Sequence, residues 1–353
     1  MRKNKFIAGL FLISTMTATS NSMAAEEWVI PEKRVSAAAG LSDPTRELIS
    51  GMGPPNFEMI ANLKLDTRED MQRFTAMVVA QNPETMEGHE KTFNVKVASS
   101  KIAGVTVHTV HPAKVDPEFE GQLFIHLHGG GYFIGSGAKA VLEAANIAST
   151  SGIKVMSVDY TLSTEKPFPT ALNEVVAVYK EVLKTVPASA IGMGGTSAGG
   201  GLALATVHQL KKLNLPLPGA LFAGTPWTDL LATGDTIITN EGLDNVLVSF
   251  EGILSAGAKL YAGGHDLSDP LISPLYGDFA NFPPTYLVSG TRDMLLSDTV
   301  RVHRKLREAG VIADLNVFEG LPHGGYMLTP GSSEFEGTFG DLKVFLQTHL
   351  RNK

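Results

Sequence analysis

Six of the ten residues from Gly192 to Gly201 are glycine, and they sit between a short apolar run and a helical stretch, Leu202 to Leu213. Glycine at that density belongs where backbones approach closely or the chain turns sharply. A strand that feeds straight into a helix through such a turn is a unit of parallel α/β architecture. Within the run, Gly195-Thr196-Ser197-Ala198-Gly199 fits the pattern G-x-S-x-G. A serine on a sharp strand-to-helix turn has a strained backbone and an outward hydroxyl. Glycines two residues to either side let strand and helix close without side-chain clash, and the helix N-terminus favours developing negative charge. A phosphate loop is the other reading of a glycine-rich turn. It fails because no Lys-Ser or Lys-Thr follows and the G-x-G-x-x-G spacing is not met.

The rest of the chain agrees with that architecture. Residues 26–56 are irregular and rich in proline and glycine, and Phe57 to Met77 carries a broken apolar stripe that predicts a helix. Phe93, Val95 and Val97 alternate with polar residues, as do Val105, Val107 and Thr109, in the manner of half-buried strands. Short apolar runs then mark buried strands at Leu123–Leu127, Val155–Val158, Ala190–Met193, Ala220–Ala223, Tyr286–Val288 and Leu315–Phe318. Helical patterns at Thr170–Thr185 and Phe335–Leu350 complete the alternation, which argues for a mainly parallel α/β sheet. The stretch Thr233–Gly264 interrupts it and reads as an insertion.

A second glycine cluster, His128-Gly129-Gly130-Gly131-Tyr132, directly follows the Leu123–Leu127 strand. Consecutive glycines free backbone N–H groups to face a ligand. With the N–H of Ala198, those of Gly129 and Gly130 would form an oxyanion hole. His128 reads as the residue that orders this loop.

Composition removes other classes. With 29 basic and 36 acidic residues the net charge is −7, which argues against a nucleic-acid binder. Cysteine is absent, so a disulfide framework, a Cys nucleophile, Cys-ligated zinc and an iron–sulfur site are all excluded. His126 reads as a strand residue. His89, His108, His111, His208, His265, His303 and His349 read as surface groups with no metal-ligand spacing. Near the start, Arg2, Lys3 and Lys5 precede the apolar run Phe6 to Ile13 and then Ser22-Met23-Ala24-Ala25. This is the three-part pattern of a secretory signal peptide over residues 1–24, cleaved after Ala24 or Ala25. The apolar run falls short of the about 20 residues a membrane span needs, so no stable membrane anchor is expected. Cleavage removes three basic and no acidic residues, taking the net charge from −7 to −10. The expected location is periplasmic or secreted.

From roughly Thr92 onward the sequence resembles the hormone-sensitive-lipase-like branch of the α/β-hydrolases, the bacterial family IV esterases. The resemblance rests on His128–Tyr132, Val158-Asp159-Tyr160, Lys166-Pro167-Phe168-Pro169-Thr170-Ala171, the turn at Ser197, and Thr225-Pro226-Trp227-Thr228-Asp229-Leu230. Many members carry Asp where Thr196 stands, and an acidic residue where Asn173 stands. These departures alter side-chain bonding near the turn and remove no catalytic atom. The family order of nucleophile, acid and base implies Ser197, then Asp293, 96 residues on, in Ser289-Gly290-Thr291-Arg292-Asp293 after a late strand. Asp298 is the rival acid, with a duller reading as a helix cap or surface charge. The base implied is His323, 30 residues after Asp293 and beyond one more strand.

The resemblance also implies a helical cap built from residues 26–85 and an insertion at about 228–268, over a catalytic domain spanning 86–353. Met52, Phe57, Met59, Phe250 and Tyr261 are candidates to line that cap. Tyr132, Phe133 and Trp227, closer to the motifs, are candidates for the substrate pocket. The implied activity is serine carboxylesterase action on short- to medium-chain acyl esters through an acyl-enzyme, with no cofactor or metal and a small-molecule ester as partner. A homodimer is left open. An amidase or lactonase with the same triad is the alternative chemistry. A ligand-binding protein on this scaffold is the alternative class, and it would be expected to lack the base.

Overall fold

The α/β alternation expected from the sequence is present in the computed structural model, which describes residues 34–61 and 63–352, apart from the side chains of Met59 and Ala61. The signal-peptide segment lies outside the described residues. Eight strands form one sheet: β1 Val95–Ile102, β2 Val105–Pro112, β3 Leu123–Leu127, β4 Lys154–Asp159, β5 Ile191–Thr196, β6 Ala220–Gly224, β7 Thr285–Gly290 and β8 Ala313–Phe318. Their order is β1-β2-β4-β3-β5-β6-β7-β8. The pairs β1/β2 and β2/β4 are antiparallel, and every pairing from β4 to β8 is parallel. This is the α/β-hydrolase fold.

Eleven α-helices accompany the sheet among the described residues. They are α1 Asp43–Met52, α2 Phe57–Ala61, α3 Arg68–Gln81, α4 Met86–Phe93, α5 Leu142–Ser151, α6 Thr170–Val182, α7 Ala198–Lys212, α8 Asp235–Thr239, α9 Ser255–Ala262, α10 Leu296–Glu308 and α11 Ser333–His349. The central strands β3, β5, β6 and β7 are buried along their whole length because both faces are covered. Along β3, Leu123, Ile125 and Leu127 join the core formed with α6, α7 and α10, while Phe124 joins the core formed with α5 and α11. Phe222 and Tyr286 face the α5/α11 side, and Leu221 and Leu287 the other, as a period of two requires.

The single helix expected over Phe57–Met77 is two helices, α2 and α3. Thr67 ends the continuity: its hydroxyl accepts from Asp70 N at 3.1 Å while the Asp70 carboxylate accepts from Thr67 N at 3.0 Å. That reciprocal cap starts a new helix. Next, α3 is fastened down by Arg68 Nη1 to the Glu165 carbonyl (2.7 Å), Gln72 Nε2 to the Thr164 carbonyl (2.9 Å) and Thr75 Oγ1 to the Phe133 carbonyl (3.1 Å). It packs on α9, from the insertion. The strand expected from Phe93 begins at Val95, because α4 runs to Phe93 and Asn94 closes it in the left-handed conformation.

The chain divides into residues 1–35 and residues 36–353. Only Arg34 and Val35 of the first are described, with no regular secondary structure. No described helix is long and apolar enough to cross a membrane.

Candidate active site

The sharp turn expected after β5 is where the backbone is strained. Ser197 has φ 61° and ψ −124°, and α7 begins at the next residue. A non-glycine residue held there costs about 1–3 kcal/mol and persists only when its surroundings fix it. They do so from both sides. The Ser197 N–H donates to the Gly224 carbonyl (2.8 Å), and its carbonyl accepts from Gly201 N (3.0 Å) and Trp227 N (2.9 Å). A Cβ at Gly195 or at Gly199 would overlap the Leu127 carbonyl oxygen of β3, so β3, β5 and α7 close only on glycine. Thr196, the departure noted in the sequence, is bound by a buried carboxylate from α5. Glu143 accepts from Thr196 N at 3.1 Å and from the Thr196 hydroxyl, and it also holds His126 Nε2 at 2.9 Å.

Asp293 lies three residues beyond β7, and His323 five beyond β8. The two side chains meet: His323 Nδ1 is 2.9 Å from Asp293 Oδ1. That same oxygen accepts from Leu295 N at 2.9 Å, and Oδ2 accepts from Ser289 Oγ at 2.7 Å. Asp293 is fully buried and His323 nearly so. Burial pushes the His323 imidazole down. The charge and hydrogen bond of Asp293, with Asp244 and Asp298 beyond, outweigh it and hold the ring above the ordinary histidine value. Asp298 makes no bond to His323. It is buried, not a surface group, and accepts from Thr228 N and Asp229 N, both at 2.8 Å. Burial pushes it up to about 7.

The loop after β3 lies against the serine. A Cβ at Gly129 would stand 3.5 Å from Ser197 Cβ and 2.9 Å from the Thr196 carbonyl. Among the described residues, the N–H groups of Gly129 and Gly130 donate to no protein acceptor, and Ala198 opens α7. His128 braces the loop. Its ring stacks on Tyr160 with centroids 3.9 Å apart, and Tyr160 Oη donates to its carbonyl at 2.7 Å. Burial pushes its pKa down to about 4, so the ring is neutral near pH 7.

A cavity of about 420 Å³ opens over these groups and is bordered by Ser197, His323, Gly129 and Gly130. No hydrogen bond joins Ser197 to His323 among the described residues; free enzymes often tighten this contact only with substrate bound. Most of the wall is apolar: Phe74 and Val78 of α3, Phe133, Leu142, Leu247 and Met327. Phe133 is where the sequence placed it. Tyr132 and Trp227 are not. Both are fully buried, with Tyr132 stacked on Tyr261 at 3.7 Å and 6.0 Å from the Trp227 ring, packed in the core beneath α7 and α9. Tyr261 is thus core as well. Met52 and Phe57 are exposed, Phe250 does not border the cavity, and the Met59 side chain lies outside the described residues. The insertion lines the cavity through Val246, Leu247, Ile253 and Leu254, and the N-terminal segment through Phe74 and Val78.

Three histidines read as surface groups are buried instead. His89 pairs with Glu84, His108 with Asp159, and His208 Nε2 bonds the Pro274 carbonyl at 3.0 Å. Each finds a polar partner, five residues away for His89 and in distant segments for His108 and His208. No cluster of metal-ligating side chains occurs among the described residues.

Comparison with known proteins places this arrangement in a family. A family model described as alpha/beta hydrolase fold matches residues 124–327. An esterase of Acinetobacter venetianus is 31% identical over 226 residues, 64% of this chain and 74% of that protein. An acetyl-hydrolase of Streptomyces hygroscopicus is 31% identical over 210 residues, 59% of this chain and 68% of that protein. The crystal structure of an esterase, E25, superposes with a TM-score of 0.88 at 40% identity, covering 92% of this chain and 99% of that one. A structure described as an esterase from the bacterial hormone-sensitive lipase family gives a TM-score of 0.74 at 30% identity, covering 88% and 99%. The chain belongs to the hormone-sensitive-lipase-like α/β-hydrolases, the bacterial family IV esterases, and is a carboxylic ester hydrolase.

Proposed function

We propose that this chain hydrolyses short- to medium-chain acyl esters through an acyl-enzyme on Ser197, with His323 as base and Asp293 as its orienting acid. The 2.9 Å contact between His323 Nδ1 and Asp293, with His323 and Ser197 bordering one cavity, carries the reading. His323 takes the serine proton as the hydroxyl attacks the ester carbonyl. Asp293 fixes the tautomer and stabilises the imidazolium. The N–H groups of Gly129, Gly130 and Ala198 receive the oxyanion, where each donor is worth about 10²–10³ in turnover. His323 then protonates the leaving alcohol, and a water releases the acid.

The size of the cavity favours compact substrates. At about 420 Å³ it lies in the lower part of the range for small-molecule sites, about 300–1,000 Å³, with a largely apolar wall. Purified enzyme assayed on p-nitrophenyl esters from acetate to palmitate is expected to be fastest on the short members and to lose that activity in Ser197→Ala. A peak at palmitate would overturn the chain-length reading, and an active Ser197→Ala would overturn the nucleophile.

The pH dependence follows from the state of His323. Only the neutral ring accepts the serine proton. The folded-state pKa is raised, so activity falls as pH drops through a value above about 6.5. A kcat/KM profile with its acid limb centred well below 6 would remove His323 from the base role.

The N-terminal pattern of Arg2, Lys3 and Lys5, then Phe6–Ile13, then Ser22–Ala25 supports export with cleavage after Ala24 or Ala25. Mass analysis of the N-terminal peptide from a bacterial periplasmic fraction tests this; an uncut Met1 in the cytoplasm would contradict it.

A further inference from the structure

The insertion between β6 and β7 carries an aspartate, Asp244, that no motif singles out. It is fully buried, in the turn after α8. Its carboxylate accepts four hydrogen bonds, all from backbone N–H groups. Oδ1 takes those of Val246 (2.9 Å) and Leu247 (3.2 Å), which fold its own turn. Oδ2 takes those of Met294 (2.9 Å) and His323 (3.3 Å). The Met294 N–H belongs to the same peptide unit as the Asp293 carbonyl, and that carbonyl accepts from Asn240 Nδ2 at 2.8 Å. One turn of the insertion therefore grips both ends of the peptide behind the acid, and the backbone of the base as well.

We propose that Asp244 is a positioning residue for ester hydrolysis: its buried carboxylate clamps the Asp293 loop, the His323 loop and the cavity wall into one unit. The proposal rests on the reading of Ser197, His323 and Asp293 given above. The clamp works in two ways. Mechanically, Oδ2 fastens the insertion to loops that leave two neighbouring strands and that are joined near the strand ends by Arg292 N to the Leu321 carbonyl (3.1 Å) and Gly320 N to Thr291 Oγ1 (2.8 Å), and at the site by the His323–Asp293 hydrogen bond. Oδ1 bonds Val246 and Leu247, which border the cavity, so a substrate that presses on that wall presses on the turn that holds the base. Electrostatically, a carboxylate at this position favours the imidazolium that forms when His323 takes the serine proton. The carboxylates facing His323 are Asp293, Asp244 and Asp298; the titratable groups facing Asp244 are Asp293 and His323. Burial and the Asp293 charge hold Asp244 above the usual carboxylate range, opposed by His323 and the backbone N–H groups. Four donors and no acceptor around it are the surroundings of an acceptor-only, ionised carboxylate.

The test is Asp244→Asn in the full chain, assayed on p-nitrophenyl acetate across pH, with rates referred to active sites titrated by a fluorophosphonate so that unfolded protein is not counted. The amide keeps the size, removes the charge and opposes a donor to some of the N–H groups. Expected are a fall in kcat of about tenfold to a hundredfold with KM within about threefold, and an acid limb of kcat/KM displaced to lower pH by about half a unit or more. The sign follows because removing a negative charge beside His323 disfavours its protonated form. An unmoved acid limb would overturn the proposal whether or not kcat falls, since a merely structural role predicts no displacement. If the amide variant yields no titratable sites, Asp244→Ser is read by the same criteria. Ser197→Ala and His323→Ala run alongside separate the two levels. Inert controls with a normal Asp244→Asn sink the clamp alone; active controls sink the triad reading beneath it.

Discussion

His323→Ala is expected to lower kcat on p-nitrophenyl acetate by about 10⁴–10⁶-fold while leaving the thermal transition nearly in place. Without an adjacent base a serine hydroxyl is a poor nucleophile, and no other histidine among the described residues borders the cavity beside Ser197 except His126 and the loop-bracing His128. His126 is bonded to Glu143 and Ser157, and His128 is stacked on Tyr160 with its pKa down at about 4, so neither replaces the lost ring. Asp293→Asn is expected to cost about 10⁴-fold, because an amide beside His323 Nδ1 favours the wrong tautomer. The double variant should be little slower than His323→Ala alone, since residues that act as a unit are not additive. Steady-state kinetics on the three proteins check this; a multiplicative loss would mean that Asp293 and His323 act separately.

Gly195→Val is expected to abolish folding or to destabilise by more than about 4 kcal/mol, placing it among the rare severe substitutions. Its Cβ alone would overlap the Leu127 carbonyl, which is backbone of the neighbouring strand and cannot swing aside. Gly199 meets the same oxygen from the helix side. Relief requires β3 and β5 to part at the point where the serine is held. Gly340→Ala, at a half-buried position of α11 with open space around its Cβ, is the control and should be neutral or slightly stabilising. Thermal unfolding of both variants decides; a Gly195→Val protein that melts with the wild type would show that the close packing at the turn does not matter.

These two glycines also show why so much was legible beforehand. A strand-turn-helix unit needs small residues at fixed offsets from Ser197, and both faces of β3 and β5 are buried, so their apolar runs are unbroken. Sequence order then separates the acid from its rival, because Asp293 sits nearest the end of β7. What escaped depends on contacts between distant segments. Nothing local to Asp244, Asn240 or Ser289 shows that each bonds the acid loop, some 50 residues away for the first two. Phe74 and Val78 enter the cavity because the Thr67 cap turns α3 over it. Tyr132 and Trp227, adjacent to motifs, were expected in the pocket, but aromatic rings beside a strained turn fill the space beneath it. His108 and His208 are buried because Asp159 and the Pro274 carbonyl receive them, partners that lie 51 and 66 residues away.

The most direct test of the account is covalent capture of the nucleophile. Incubation with diethyl p-nitrophenyl phosphate, followed by peptide mass mapping, is expected to place one diethylphosphoryl group per chain on Ser197, with activity lost in step with labelling and spared by saturating ester. Label on another residue with the same loss of activity, or full activity after Ser197 is completely labelled, would contradict it.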